Sequence, residues 1–540
     1  MEKRALIAVA ISVAILVAWD VVLRRLYPPP PPGEEQVSQV PTAEPTLEVP
    51  TPEAAPEPAP PANRPKPAAA ARHITVETEL YKAVFTSAGA QLESLRLKKY
   101  RTTVDPDSPF QEMVVPAPDG ELPFGVELRG AQVLSDSAAA YAAQGGDLNL
   151  QSDEEGTVEF VWNSGSVTVH KLFKFRGDRY DFSARIGARD VPHGYSELAV
   201  SWVNGVNVHP QPDSEVIFDH AMFLDGRKLN EDSFDKLSAG KILTGDIQWT
   251  AISGRYFLAA VAPVDTQGQR LWLKLRDGTV EEQLLFPISS AAIEKKLDIF
   301  VGPKDFDALD RVGHSLSRAV NLGWFSFIAV PLLHELQFSH SFTGNYGADI
   351  ILLTVMIKIL FIPLTQRSFR SMREMQKLQP QMAKIRERFK DAPEQMNKEI
   401  MELYRRHKVN PLGGCLPMVL QIPVFIGLYQ ALLNTIELRH APFALWINDL
   451  SAPDRLGSLQ LPFVQHPGIP VLTLLMGVSM FVQQWMTPSA GDPAQQRVMM
   501  IMPLMFTFMF VNFPSGLALY WLVNNLLTIA QQFYMNRTAT

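Results

Sequence analysis

The sequence has a single cysteine, Cys415, in 540 residues, which excludes an internal disulfide framework and a cysteine-ligated zinc or iron–sulfur centre. Charge is scarce as well: Asp, Glu, Lys and Arg make up 19% of the chain, against about 25% in an ordinary soluble protein. Basic excess is missing, because 49 Lys and Arg face 56 Asp and Glu, and the net charge of −7 argues against a general nucleic-acid binder. Long apolar runs are absent from the middle of the chain and bunched at its two ends. Such a distribution points to a membrane protein with a large soluble insert, too long for one core.

The first apolar run, Ala5 to Leu23, follows Lys3 and Arg4 and is long enough to cross a hydrocarbon core of about 30 Å. A cleaved signal peptide fits poorly, because Trp19, Asp20 and the bulky residues after them offer no small-residue cleavage site. Residues 1–27 therefore read as an uncleaved signal anchor. Residues 28–71 are dominated by Pro, Ala and Glu and read as an extended tether that cannot bury enough surface to fold. Residues 72–315 change to short runs of period two; GTVEFVWNSGSVTVHKLFKF predicts two strands around an Asn-Ser-Gly-Ser turn. A β-sandwich follows. It carries no nucleophile motif, phosphate loop or metal spacing, and its scattered histidines (His73, His170, His193, His209, His220) suit surface or core roles.

Residues 320–342 hold WFSFIAVPLLHELQF, which is too short and interrupted for a span and reads as an interfacial amphipathic helix. Five spans are expected in 346–540: Ala348 to Leu364, Leu416 to Ile436, Ile469 to Met486, Val498 to Asn512, and Leu517 to Phe533, the last two joined by a turn at FPSG. Between the first and second of these, twelve Lys or Arg face six Asp or Glu, a net of +6. Cytoplasmic loops carry such an excess, which places this loop inside, the β domain outside and, with six spans in all, both termini in the cytoplasm. The same loop, 367–410, reads as a helical hairpin. Met372, Met375, Met382, Ile385 and Phe389 recur at helical spacing, Pro380 divides the first arm, and Asp391 before Pro393 restarts a second. The stripes either pack against each other or offer a methionine-rich face to incoming apolar segments.

Lys358 lies about ten residues into its span, where a cation costs roughly 2.5–3.5 kcal/mol on insertion scales. Asp349 is nine residues away, so no acid within the spans neutralises it. Either Lys358 snorkels to the interface or water reaches it through a cavity. The amides Gln421, Gln430, Asn434, Gln483, Gln484, Asn524, Asn525 and Gln531 are ordinary interhelical glue taken singly, but with one cation they favour a polar groove.

NYGADIILLTVMIKILFIPLT, VNPLGGCLPMVLQIPVF, ELRHAPFALWINDLSAPD, DPAQQRVM and NFPSGLALYWLVNN resemble the YidC membrane protein insertases over the last 200 residues, and TSAGAQLESLRLKKY resembles their Gram-negative branch. The resemblance implies a five-span insertase core around a hydrophilic groove, an extra N-terminal span and a periplasmic β-supersandwich. It places Lys358 where the family carries a groove arginine, which keeps the charge but loses the planar fork. It also implies substrate-path roles for Thr354, Gln484 and Trp521; the amides Gln421 and Asn525 are expected in the same groove, and the substrate's apolar helix is expected to slide along Phe425, Met480, Phe506, Met509 and Trp521. Asp492 and the capture hairpin correspond to ribosome-contacting loops. No bond chemistry, cofactor or metal is implied. The expected partners are nascent membrane proteins, the Sec translocon with its accessory subunits, the ribosome and the lipid bilayer. No specific nucleic-acid sequence is read, and a monomer suffices. The expected location is the bacterial inner membrane. Two other readings stay open: a small-solute transporter using Lys358 as a binding or proton-relay group, and a tethered sugar-processing enzyme. The first lacks visible inverted repeats, and the second needs converging carboxylates or histidines in the β domain.

Overall fold

A computed structural model describes residues 71–118, 120–205, 217–407, 409, 416–460, 467–487 and 493–538. The expected N-terminal anchor, most of the tether, His209 and Asp492 lie outside the described residues.

The strand-rich part forms three sheets. The largest has nine strands in the spatial order Lys228–Ser233, His220–Asp225, Ile247–Ser253, Phe257–Pro263, Ala292–Pro303, Asp181–Arg189, Thr168–Arg176, Glu155–Asn163 and Ala142–Gln144. A six-stranded sheet is built around Tyr195–Gly205 and Thr279–Pro287, and a five-stranded one around His73–Glu77, Tyr81–Thr86 and Gln91–Arg101. Pairing between neighbours is antiparallel except where His73–Glu77 meets Leu148–Asn149 in parallel. The expected hairpin is present, with Glu155–Asn163 opposite Thr168–Arg176 in continuous register from Asn163↔Thr168 to Glu155↔Arg176. Its alternation buries Val158, Phe160, Val169, Phe173 and Phe175 on one face. Phe85, Phe124, Phe173 and Trp202 then meet edge to face or tilted between sheets, with ring centroids 4.8 to 5.3 Å apart along the chain of contacts.

One inward position is a lysine. Lys171 is buried among those phenylalanines, and its ammonium lies 2.6 Å from Asp136, which also accepts from the Tyr141 hydroxyl at 2.7 Å. The carbonyls of Gly89 and Phe124 accept two more of its hydrogens at 2.5 and 2.6 Å. Burial pushes the Lys171 ammonium down, and Asp136 opposes the shift. A charge with all its hydrogens engaged ties the sheets together.

Nine helices follow among the described residues: α1 (Phe306–Val312), α2 (Ser326–Thr343), α3 (Tyr346–Lys377), α4 (Gln379–Arg388), α5 (Pro393–Arg406), α6 (Leu416–Asn434), α7 (Val471–Met486), α8 (Pro493–Phe510) and α9 (Ser515–Thr538). Asp305 caps α1, accepting from the Ala308 amide at 2.8 Å. α2 leaves aromatics outside, with Trp324 just before it 96% and Phe338 71% exposed. Pro331 lies within α2 without ending it. α3 is the one helix among the described residues long and apolar enough to cross a membrane; Val471–Met486 and Met499–Phe510 are shorter apolar helices. Its 32 residues extend about 48 Å at ~1.5 Å per residue, well beyond a ~30 Å hydrocarbon core. The first hairpin arm is therefore a continuation of the span, and Met372 and Met375 belong to α3. The chain breaks at Leu378, and Pro380 sits in the first turn of α4. Ala392 is the N-cap of α5 and makes no side-chain cap bond, so Asp391 lacks the restart role expected of it.

Close helix approach depends on Gly477. A Cβ there would sit 2.1 Å from Thr507 Oγ1, so α7 and α8 meet only because the side chain is missing. The β domain joins the helices through Arg255, whose Nε donates to the Leu433 carbonyl at 2.8 Å, and through Arg439, stacked 5.2 Å from the Phe257 ring. Between α6 and α7, Asp454 accepts from the Trp446 indole at 2.6 Å and caps α7 through the Leu472 and Thr473 amides.

Candidate functional site

The buried face of α3 carries Ile350, Leu353, Thr354 and Ile357, while Leu352, Met356, Ile359 and Leu360 point outward. Lys358 falls at the edge between the two faces and is half-buried. Its ammonium meets no acid among the described residues: Nζ donates to Thr528 Oγ1 on α9 at 2.6 Å. The Thr528 hydroxyl gives its own hydrogen to the Asn524 carbonyl at 2.6 Å, so it is left as an acceptor aimed at the cation. Asp349 is occupied elsewhere. It is buried and held by His340 at 2.9 Å and by the Thr343 hydroxyl at 2.5 Å, which ties α2 to the start of α3.

Thr528 is one member of a polar seam between α9 and α7. On α9, Asn525, Thr528 and Gln532 follow at three- and four-residue spacing and are all buried. On α7, Ser479, Gln483 and Thr487, the last just past its end, follow at four. Asn525 donates to Ser479 Oγ at 3.0 Å and Gln532 to Thr487 Oγ1 at 3.1 Å. These are two closed rungs, with the Thr528–Lys358 contact at an intermediate position along α9. Sequence reasoning singled out Lys358 and Asn525 but missed Thr528, Gln532, Ser479 and Thr487. The i, i+4 spacing of hydroxyls and amides on both helices was the signal available.

The other expected groove residues are distributed differently. Thr354 is buried and donates to the Ile350 carbonyl of its own helix at 2.6 Å, so its hydrogen is already used. Gln421 reaches the Tyr520 hydroxyl only at 3.4 Å. Gln484 is half-buried near the end of α7. Trp521 sits with the slide residues: its ring lies 4.8 Å from Phe425 edge to face, 5.9 Å from Phe506 and 5.1 Å from Phe510. Phe510, which sequence reasoning did not single out, is buried at the centre of this aromatic cluster, and Met480 packs against the same core. Met509 is the exception. It is 47% exposed and points away from the cluster, because one step along α8 turns a side chain by about 100°.

The hairpin closes on itself. Met375, Leu378, Met382, Leu403 and Tyr404 form a small core, with Met372, Ile385 and Ile400 packed against it. Tyr404 donates its hydroxyl to Met382 Sδ at 3.3 Å. Phe389 is half-buried under the Arg388 guanidinium, 5.5 Å from its centroid. The stripe expected to face incoming segments is the one that holds the arms together, and Met401, 57% exposed, is a methionine left outside.

Known proteins match both halves. Residues 338–540 fit the family model described as 60Kd inner membrane protein, and residues 73–334 the one described as YidC periplasmic domain. A curated protein of Syntrophobacter fumaroxidans named membrane protein insertase YidC is 42% identical over 555 residues, covering 100% of both chains. One of the same name from Geobacter sulfurreducens is 42% identical over 551 residues, covering 100% of this chain and 99% of its own. A solved structure described as an active YidC insertase with its first transmembrane domain resolved is 20% identical, covers 87% of this chain and 95% of its own, and superposes with a TM-score of 0.37. Full-length identity at that level is shared ancestry, and the chain belongs to the YidC family of membrane protein insertases.

Proposed function

We propose that this chain inserts membrane proteins by taking a short hydrophilic segment into the polar seam around Lys358 while the adjoining apolar helix moves past the Phe425–Phe506–Trp521 cluster into lipid. The supporting observation is the Lys358–Thr528 contact of 2.6 Å, a cation held by a hydroxyl with no carboxylate partner among the described residues. Two of its hydrogens remain for another acceptor. In a site of low dielectric, such a charge attracts acidic groups more strongly than it would in water. The apolar helix supplies the driving force, at about 25 cal/mol for each Å² removed from water. No covalent step is required, so the reading is of a non-enzyme.

In this reading the β domain is periplasmic, the hairpin of α4 and α5 and both termini are cytoplasmic, and the Sec translocon and ribosome are the macromolecular partners. The closed methionine core makes the hairpin a basic docking element, with attraction to anionic surfaces of about 1 kcal/mol per basic residue near them. Reconstitution of the full chain in phospholipid vesicles without a translocon tests the function. A single-span substrate with a short acidic tail should become protease-protected in these vesicles and not in protein-free ones. Equal protection in both would contradict the proposal.

A further inference from the structure

The two closed rungs of the seam leave carboxamide atoms unused. Gln532, 3% exposed, donates to Thr487 through Nε2, yet its Oε1 is buried without a partner among the described residues. Gln483 Oε1, on the α7 side, is buried without a partner as well. Gln531 is the extreme case: Oε1 and Nε2 are both buried and both without a partner among the described residues, one turn along α9 from the hydroxyl that holds Lys358. A buried amide left unpaired is costly, and in native structures an exception of this kind marks a strain reservoir or a missing partner. Interhelical glue does not explain these three, since glue consists of pairs that have closed, as Asn525–Ser479 has.

A primary carboxamide with donor and acceptor both free has one natural complement, a peptide group, which offers an acceptor and a donor in the same plane. We infer that Gln531, assisted by the free acceptors of Gln483 and Gln532, pairs with the main chain of the hydrophilic segment as it passes the seam. This rests on the insertase reading and names what the site recognises: extended peptide backbone, irrespective of side chain. Lys358 adds a preference for acidic segments, and the glutamines supply the sequence-independent part. A segment with no secondary structure must leave water with its N–H and C=O groups unpaired, and these carboxamides replace the lost water.

The test uses the full chain in phospholipid vesicles and a synthetic single-span substrate with two versions of its tail. In one the tail is ordinary; in the other alternate peptide nitrogens carry methyl groups, which deletes N–H donors and keeps every side chain. Rates are read by protease protection and divided by those in protein-free vesicles. The unmodified protein should insert the ordinary tail about five-fold faster than the methylated one, the size of one neutral hydrogen bond. Gln531→Met should slow the ordinary tail more than the methylated one, because the methylated tail keeps its carbonyls but has already lost half of its N–H donors. A purely structural role for Gln531 would slow both tails alike, and that result overturns the inference. So does equal insertion of the two tails by the unmodified protein, a comparison that needs no variant to fold. Insertion of neither tail by the unmodified protein overturns the insertase reading itself, and this inference with it.

Discussion

Lys358 on α3 and Thr528 on α9 stand 170 residues apart in the chain and 2.6 Å apart in space. A hydroxyl that has already spent its hydrogen is a neutral acceptor, and it positions the ammonium without cancelling its charge. Lys358→Ala should therefore impair insertion of acidic-tailed substrates most, while Lys358→Arg keeps the charge and stays near normal. Thr528→Val removes a hydrogen bond to a charged group, worth about 1.5–3 kcal/mol, and should give a smaller loss confined to the same substrates. Insertion assays across tails of graded charge check all three. An equal effect of Lys358→Ala on neutral and acidic tails would contradict the charge role.

The β domain contains a pH-dependent element at Glu282. The side chain is buried in the sandwich, and burial pushes its pKa up to about 8 against a smaller lowering from the Thr250 hydroxyl. A carboxyl raised in the folded state contributes most below its unfolded value, so stability should fall as pH rises from about 4.5 towards about 8 and level off beyond. The slope contributed by this group reaches about 1.4 kcal/mol per pH unit. Glu282→Gln should remove that slope, which denaturant melts followed by the buried Trp202 and Trp249 would measure.

The Lys171–Asp136 pair gives a second stability test. Asp136→Asn leaves a buried ammonium uncompensated and should cost about 3–5 kcal/mol, whereas Lys171→Met with Asp136→Asn together should cost much less. A double-mutant cycle on denaturant midpoints reads the difference. Additive losses would mean that the pair is not coupled.

Helix packing is expected to fail at Gly477 before it fails elsewhere on α7. Gly477→Val drives side-chain atoms into Thr507, and it should lower the melting temperature of the helical part in detergent while the β domain melts as before. The neighbouring Val478→Leu, on the exposed side of the same helix, serves as the matched control and should change little.

In the hairpin, the buried stripe implies that polar substitutions act through folding. Met382→Gln should open the α4–α5 contact, as seen by faster hydrogen exchange from α3's last turns to α5, while Met401→Gln on the exposed side should leave exchange unchanged.

Much of this architecture was legible because local period and burial coincide. Alternation marked Glu155–Asn163 and Thr168–Arg176, and Pro380, Pro393 and the FPSG turn marked helix boundaries close to where they fall. Partners distant in sequence were not legible. Lys171 occupies an inward position of an alternating strand, but its acid is 35 positions upstream on a different sheet edge, so nothing local announces the pair. Thr528 was legible only as one of a helically spaced polar series; its pairing with Lys358 on another helix was not. The methionine stripe was found correctly as a stripe, yet periodicity says which residues share a face and not what covers it; the second arm of the hairpin does. Met509 shows the same limit, since an apolar residue on a membrane helix satisfies lipid and protein equally well.

Site-specific photocrosslinking to a stalled nascent chain tests the polar seam as the path of the hydrophilic segment most directly. A probe at Gln484, half-buried and next along α7 to the seam residue Gln483, should crosslink the hydrophilic tail, and a probe at Leu504, on the exposed face of α8, should not. Equal crosslinking of the tail from both positions, or none from Gln484 during productive insertion, would contradict passage through the seam.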